Sequence, residues 1–282
     1  STPPPATPLL SGLVGSEMCI RDSMNTKLNV VAFQISLFWE NSLKNRSLID
    51  NQLRKIDDQA DIVLLPEMFT TGFTMKAKEV AEEMDGPTIR WMQECAIKLD
   101  ILIGGSLAIR DENKIFNRFV MIGNEGLVAH YDKRHLFTLG QEDKYYSRGT
   151  NSGLFKYKGW KICLRICYDL RFPVWSSNTE DYDLLIFVAN WPAPRINAWD
   201  SLLKARAIEN MSYVVGVNRV GTDNNGEDYP GRSAIYDPLG NQISEGASTS
   251  EDLLTAELDF LDLQVLRKQL NFLNDRDNFD LY

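Results

Sequence analysis

The stretch WKICLRICYDLRFP, residues 160–173, decides how this sequence is interpreted. Its first eight residues are mostly apolar and bounded by turn residues, which predicts a buried strand that ends at Cys167. In folds that mix strands and helices, reactive groups gather where strands end, because backbone NH groups are free and a crevice opens there. A thiol at this position is therefore a candidate nucleophile, although a free cysteine more often serves as a small buried hydrophobe. Cys95 and Cys163 fit that simpler interpretation.

Working outward from this strand, five other segments have the same character and are predicted to be buried strands: LNVVAFQIS (28–36), ADIVLLPE (60–67), DILIGGSLAI (100–109), DLLIFVAN (183–190) and SYVVGVNRV (212–220). Helices are predicted over 41–59, 87–99 and 198–211. Hairpins are predicted over 119–131 and 233–245. This order of elements predicts an α/β fold, a four-layer α-β-β-α sandwich in which two mixed sheets are covered outside by helices.

Composition limits the classes of function. The 282 residues are 44% hydrophobic, which suffices for one sizeable core. Lys and Arg number 30 against 39 Asp and Glu, a net charge of −9, so no nucleic-acid partner is expected. Four cysteines are too few for a secreted disulfide scaffold, and no apolar run is long enough to suggest a membrane span. We therefore expect a cytoplasmic protein with no membrane partner.

The first 23 residues, STPPPATPLLSGLVGSEMCIRDS, need a separate interpretation. They make a poor export signal because no basic region precedes the apolar residues. The piece EMCIRDS resembles the translation of a sequencing adapter, so we expect residues 1–23 to be a non-native, disordered leader and Cys19 to have no function. Residues 24–282 are then one domain, with a core of about 28–260 and a C-terminal tail. Cleavage after Ser23 would instead support the signal interpretation.

Two other predicted strand ends carry groups that suit a thiol nucleophile. Glu67 ends one strand beside apolar Met68 and Phe69, where burial would raise the pKa of its carboxyl group toward general-base use. Lys133 follows the first hairpin, and an ammonium beside a thiol favours thiolate and can stabilise an oxyanion. Each residue alone is more often a solvated charge. The three together favour a catalytic site.

Three ordered motifs carry a family resemblance: PEMFTTGF with Glu67, YDKRHLF with Lys133 and ICYDLRFP with Cys167. They resemble the Glu-Lys-Cys motifs of the nitrilase superfamily of carbon–nitrogen hydrolases, over about residues 28–260. The segments GQEDKYYSRG, ANWPAPRINAWDSLLKARAIEN and GVNRVGTD are similar to the omega-amidase branch of that superfamily. That branch hydrolyses the terminal amide of short 2-oxo-dicarboxylic acid monoamides.

The resemblance implies a role for each residue of this site. Cys167 is expected to attack the amide carbonyl, with Glu67 as base and then acid, through a thioester intermediate. Lys133 and the backbone NH of Tyr168 are expected to bind the oxyanion. Glu142 matches a second glutamate that many members keep near the nucleophile, to orient Lys133 or the substrate. No cofactor and no metal are expected, and the superfamily's habit of pairing subunits implies a homodimer.

The substrate side is interpreted from chemistry alone. The remote carboxylate of a 2-oxo acid monoamide requires a cation, and Arg171 and Arg195 are candidates. Arg171 could equally pair with an acid such as Asp169, and Arg195 could be a solvated loop charge. Aromatic candidates for the pocket wall, which core packing explains as well, are Phe73, Tyr145, Trp191 and Trp199. Arg165, a charge inside a buried strand, has no partner that the sequence identifies.

Other functions remain open at this level. Hydrolysis of a nitrile or an N-carbamoyl amine would use the same three residues, and a non-catalytic scaffold could keep the fold. A Cys-His hydrolase would need His130 or His135 as its base, whereas the Glu-Lys-Cys interpretation predicts that replacing each by glutamine leaves activity largely intact. No spaced set of histidines, cysteines and carboxylates indicates a metal site, and no P-loop or GxGxxG motif is present.

Overall fold

A computed structural model describes residues 26–57, 59–246, 249–277 and 279. The predictions made for residues 1–23 and Cys19 lie outside this range. Five helices are described: α1 (Ser42–Leu53), α2 (Ala77–Val80), α3 (Pro87–Leu99), α4 (Ile196–Asn210) and α5 (Phe260–Leu270). The strands are β1 (Lys27–Gln34), β2 (Ile62–Leu64), β3 (Leu102–Asp111), β4 (Lys114–Gly123), β5 (Gly126–Asp132), β6 (Leu154–Tyr157), β7 (Trp160–Ile166), β8 (Leu184–Ala189), β9 (Tyr213–Asn218), β10 (Val220–Thr222), β11 (Asp228–Pro230), β12 (Ala234–Tyr236) and β13 (Asp252–Asp259).

Two large mixed sheets form the centre of the molecule. Six strands make one sheet in the order β13-β1-β2-β3-β4-β5, and five make the other in the order β12-β9-β8-β7-β6. In the first sheet β1, β2 and β3 run parallel, and in the second β7, β8 and β9 do. Strands β10 and β11 form a separate two-stranded hairpin.

Alternation along the strands creates the layers, because successive side chains of a strand face opposite sides of its sheet. Val30 and Ala32 of β1 pack with Ile162 and Leu164 of β7 in the core between the sheets. The intervening residues of the first sheet face α1 and α3, and those of the second sheet face α4. The predicted four-layer α-β-β-α architecture is confirmed.

Boundaries differ from the sequence prediction in places. The helix predicted over 41–59 ends at Leu53, where the chain turns back to enter β2. The hairpin predicted over 233–245 retains β12, but its second arm makes only a bridge from Gln242 to Tyr236. Strand β13 was not predicted, although it pairs with β1 along eight residues and closes one edge of the first sheet.

Within the described part of the chain, no helix is both long and apolar enough to cross a membrane.

Candidate active site

The three predicted catalytic residues follow three different strands. Glu67 comes after β2 of the first sheet, Lys133 directly after β5 of the same sheet, and Cys167 directly after β7 of the second sheet. Glu67 and Lys133 are completely buried, and Cys167 is partly exposed to a cavity that all three line. The two-sheet fold therefore brings together residues that are up to 100 positions apart in sequence.

Ion pairs join Lys133 to two carboxylates. Its Nζ lies 2.8 Å from Glu67 Oε1 and 2.9 Å from Glu142 Oε2. Glu142 is also completely buried, in a 3₁₀ turn over Glu142–Lys144, and its Oε2 accepts a hydrogen bond of 2.7 Å from the NH of Phe137. Glu142 therefore belongs to the same buried charge cluster.

Opposing electrostatic effects act on these groups. Burial alone would lower the pKa of Lys133, but the charges of Glu142 and Glu67 raise it above its ordinary value. Burial, assisted by the charge of Glu67, raises the pKa of Glu142. The cluster thus holds its ammonium firmly protonated.

The candidate nucleophile, Cys167, has an unusual backbone conformation. Cys167 has a φ of +44° at the start of a 3₁₀ turn over Cys167–Arg171, a conformation that costs a residue with a Cβ about 1–2 kcal/mol. Burial and the charge of Glu67 raise the pKa of its thiol well above the ordinary value, although Lys133 acts in the opposite direction. The resting group is therefore the thiol, which needs a base to become a nucleophile.

Asp169 stabilises this 3₁₀ turn through the hydrogen bonds of its side chain. Its buried carboxylate accepts hydrogen bonds from the NH of Ile166 at 3.0 Å, from Tyr131 Oη at 2.8 Å and from the NH of His135 at 3.0 Å. His135 Nδ1 lies 2.8 Å from the same carboxylate. His135 is thus bonded to Asp169 and is not among the described residues that line the cavity, which disfavours a Cys-His mechanism.

The cavity above the thiol has a volume of about 320 Å³. Most of the predicted substrate-side residues line it: Phe73, Arg171, Trp191 and Arg195. Tyr168, whose backbone NH is the predicted oxyanion donor, lines it as well. Two predicted residues lie elsewhere among the described residues. Tyr145 is 48% exposed and does not line the cavity, and Trp199 is buried in the outer core with its indole NH donated to Arg232 O.

Both candidate arginines pack against aromatic rings. The guanidinium of Arg171 lies 5.0 Å from the ring centre of Trp191, and that of Arg195 lies 5.2 Å from that of Phe137. Neither forms an ion pair within the described part of the chain. The acid suggested as a partner for Arg171, Asp169, is instead bonded to Tyr131, to His135 and to the NH of Ile166, at the 3₁₀ turn over Cys167–Arg171 (the elbow).

Arg165 finds carbonyl groups as partners. It donates to the backbone oxygens of Ser152, Leu164 and Trp175 at 2.6–2.8 Å, and its guanidinium lies 4.9 Å from the ring centre of Trp175. This arrangement joins the nucleophile strand to two neighbouring loops without a carboxylate.

Sequence reasoning missed two buried asparagines. Asn190 follows β8; its NH donates to Glu67 Oε2 at 2.8 Å and its carbonyl oxygen lies 3.9 Å from Cys167 Sγ. It ends a predicted buried strand, so the strand-end rule that selected Glu67 and Cys167 could have found it. Asn117 lies inside β4 and its Nδ2 donates to Glu67 Oε1 at 2.8 Å. No sequence signal of this kind marks it.

Comparison with known proteins identifies the family of this chain. The family model described as carbon-nitrogen hydrolase matches residues 28–268. The chain belongs to the carbon-nitrogen hydrolase family. It is 42% identical over 252 residues to omega-amidase YafV of Yersinia enterocolitica, covering 89% of this chain and 98% of that protein. It is 32% identical to 2-oxoglutaramate amidase of Bacillus subtilis, covering 88% and 97%.

A solved structure shows the same fold. The carbon-nitrogen hydrolase superfamily protein of Xanthomonas campestris, described with an arsenic adduct in its active site, superposes with a TM-score of 0.88. It is 40% identical and covers 91% of this chain and 99% of that one. The predicted resemblance to the nitrilase superfamily and its omega-amidase branch is therefore confirmed.

Proposed function

We propose that this carbon-nitrogen hydrolase cleaves the terminal amide of short 2-oxo-dicarboxylic acid monoamides, 2-oxoglutaramate and 2-oxosuccinamate, to the acid and ammonia. One observation carries the proposal: a single small cavity is lined by the thiol of Cys167, the carboxylate of Glu67, the ammonium of Lys133 and two arginines that form no ion pair among the described residues. The names of the relatives, omega-amidase and 2-oxoglutaramate amidase, support the same substrate class.

Acylation requires a base because the thiol is protonated at rest. Glu67 accepts the proton of Cys167 as sulfur attacks the amide carbonyl and a C–S bond forms. Glu67 then returns that proton to the amide nitrogen, the C–N bond breaks and ammonia leaves. The product of this half-reaction is a thioester on Cys167.

Deacylation reuses the same groups. Glu67 takes a proton from a water molecule, whose oxygen attacks the thioester carbonyl to form a C–O bond. The C–S bond breaks, the proton returns to sulfur and the acid is released. Atoms balance as amide plus water giving acid plus ammonia, so the reaction needs no cofactor.

Each tetrahedral intermediate carries an oxyanion that needs stabilisation. Lys133 Nζ and the backbone NH of Tyr168 are proposed as its donors, since the first is a buried cation and the second directly follows the nucleophile. Glu142 is proposed to orient Lys133, to which it is bonded at 2.9 Å. Buried charges of this kind act strongly because they need no reorganisation during the reaction.

The remote carboxylate of the substrate is proposed to bind Arg171 or Arg195. Both residues line the cavity, and their guanidinium groups lie 5.0 Å and 5.2 Å from aromatic ring centres, contacts that limit their motion and lower the entropic cost of binding. Phe73 and Trp191 are proposed as apolar walls for the short carbon chain. The cavity volume of about 320 Å³ suits such a small substrate.

We also propose a cytoplasmic location. Cys95, Cys163 and Cys167 are free cysteines, as expected in a reducing compartment.

A substrate panel tests the proposed function. Ammonia release is measured from 2-oxoglutaramate, 2-oxosuccinamate, glutamine, asparagine, a simple nitrile and an N-carbamoyl amine. We expect kcat/KM for the two oxo-amides to exceed that for every other compound by about 100-fold or more, because only they combine an amide with a 2-oxo acid. Preferred turnover of the nitrile or the N-carbamoyl amine would overturn the substrate assignment, and no turnover of any compound would favour a scaffold.

A further inference from the structure

Asn117 has no part in the catalytic roles described so far, yet it contacts both carboxylates of the site. It is completely buried on β4, and its Nδ2 lies 2.8 Å from Glu67 Oε1 and 3.2 Å from Glu142 Oε1. Its backbone oxygen also accepts a hydrogen bond of 3.0 Å from the NH of Lys133. One residue therefore contacts all three members of the buried charge cluster.

The two oxygens of Glu67 have different surroundings. Oε1 accepts hydrogen bonds from Lys133 Nζ at 2.8 Å and from Asn117 Nδ2 at 2.8 Å, which fills both lone-pair positions of a carboxylate oxygen. Oε2 accepts one normal bond, from the NH of Asn190 at 2.8 Å, and a long contact of 3.4 Å from the Asn190 side chain. Asn190 is also the residue whose carbonyl oxygen approaches Cys167 Sγ. Oε1 therefore has two strong donors and Oε2 has one, and the carboxylate of Glu67 also hydrogen-bonds with the thiol of Cys167.

Charge explains why this position suits a neutral amide. Glu67, Glu142 and Lys133 place two carboxylates and one ammonium in a completely buried cluster. A donor between the carboxylates reduces their mutual repulsion, and an amide does so without adding charge. A carboxylate at position 117 would instead add a third acid to the cluster.

The amide is retained at a cost to the fold. Its Oδ1 is buried and has no hydrogen-bond partner within the described part of the chain. A buried oxygen without a hydrogen-bond partner reduces the stability of the fold. The two hydrogen bonds that Nδ2 donates to the carboxylates offset this cost.

We infer that Asn117 is a positioning residue that occupies Glu67 Oε1 and leaves Oε2 as the oxygen that moves the proton. This inference rests on the proposed function, in which Glu67 is the base. Other titratable groups that act on Glu67 come from several elements: Lys133 after β5, Glu142 in its 3₁₀ turn, Cys167 after β7, Tyr146, and Tyr229 on β11.

Asn117→Leu tests the inference, because leucine has a similar volume and no donor. We expect kcat for 2-oxoglutaramate to fall about 10- to 100-fold, with KM changed less than about threefold. We also expect the acidic limb of the kcat/KM profile to move to higher pH, since a carboxylate that has lost a donor ionises less readily. The control is Asn178→Leu, which removes a similarly buried asparagine bonded to Tyr182 and Asn210. It should destabilise the protein without moving the pH profile.

Alkylation of Cys167 across the same pH range separates failure of this inference from failure of the proposed function, because it needs no substrate. We expect its pH dependence to move in Asn117→Leu even if the wild-type enzyme hydrolyses no oxo-amide. Asn117→Ser, whose side chain is too short to bridge the carboxylates, serves if the leucine variant does not fold. Wild-type profiles in either folded variant, or failure of both to fold, would overturn a positioning role.

Discussion

At the scale of single residues, the site combines a thiol whose pKa is raised, Cys167, with a carboxylate that several hydrogen bonds hold in place, Glu67. The pKa of Cys167 is raised by burial and by the charge of Glu67, so little thiolate exists near neutral pH. Glu67 in turn is fixed through both oxygens by Lys133, Asn117 and Asn190. In the proposed mechanism, the thiol of Cys167 therefore loses its proton to Glu67 as the sulfur attacks the carbonyl group.

Replacing Glu67 by glutamine separates its effect on the pKa of Cys167 from its proposed role as the base. The change removes a charge that raises the pKa of Cys167, so we expect the thiol to be alkylated at lower pH than in the wild-type protein. Hydrolysis should nevertheless fall by at least about 100-fold, because no base remains. Iodoacetamide labelling across pH and ammonia release from 2-oxoglutaramate measure the two quantities. An unshifted labelling profile, or retained hydrolysis, would contradict the role of Glu67.

Arg171 is predicted to act on binding rather than on chemistry. In Arg171→Leu we expect KM for 2-oxoglutaramate to rise about 10- to 100-fold with kcat changed less than about threefold. Turnover of a short neutral amide should not change. Arg148→Leu is the control, since Arg148 is exposed and does not line the cavity. Equal losses for the charged and neutral amides would contradict carboxylate recognition by Arg171.

At the scale of elements, the ends of strands account for most of the site. The rule that reactive groups follow buried strands found Glu67, Lys133 and Cys167 from sequence, because apolar runs are visible and the polar residue after each run stands out. Asn190 obeys the same rule. Asn117 does not, because its position beside Lys133 depends on the register of β4 against β5. That register is set by pairing between strands, which a local sequence pattern does not reveal.

The elbow after β7 shows the same limit. The sequence predicted that the strand ends at Cys167, but it could not show what contacts Asp169. Its carboxylate is bonded to Ile166 on β7 of the second sheet, to Tyr131 on β5 of the first sheet and to His135 in the loop after β5. Likewise, the carbonyl partners of Arg165 depend on loops whose paths sequence patterns leave open. Strand β13 was missed because the pattern of its residues is weak and its partner, β1, is more than 200 positions away.

Asp169→Asn tests the importance of the elbow. An amide offers one acceptor oxygen where the carboxylate offers two, so we expect the free energy of unfolding to fall by about 2–4 kcal/mol. Urea denaturation measures it. Asp200→Asn is the control, because Asp200 forms an exposed ion pair with Arg232 and should contribute less than about 1 kcal/mol. Equal stability of the Asp169→Asn variant and the wild-type protein would contradict the account of the elbow.

At the scale of the whole molecule, helix α5 presents apolar side chains to solvent. Leu261 and Val265, one turn apart on this helix, and Phe272 just after it are each more than half exposed. The opposite side of α5 is fixed by Arg267, which lies 2.8 Å from Asp183 Oδ1 beside the second sheet. A fixed helix with an exposed apolar face is typical of an interaction surface. We propose that it contributes to a homodimer.

Light scattering tests this assembly. We expect a mass of twice 32.1 kDa for the wild-type chain, and a single-chain mass for the double variant Val265→Asp with Phe272→Asp, because burying two carboxylates is costly. The control double variant Leu127→Asp with Val128→Asp changes exposed apolar residues on β5 of the other sheet and should remain dimeric. A monomeric wild-type protein would contradict the proposal.

The central claim, hydrolysis of oxo-amides by Cys167, is tested most directly by ammonia release from 2-oxoglutaramate in wild-type protein and in Cys167→Ala. We expect rapid release by the wild type and a loss of at least about 1,000-fold in the variant. Cys163→Ala, which changes a buried thiol four residues earlier on β7, should retain activity. Release that persists in Cys167→Ala, or a wild-type protein that releases no ammonia, would contradict the account.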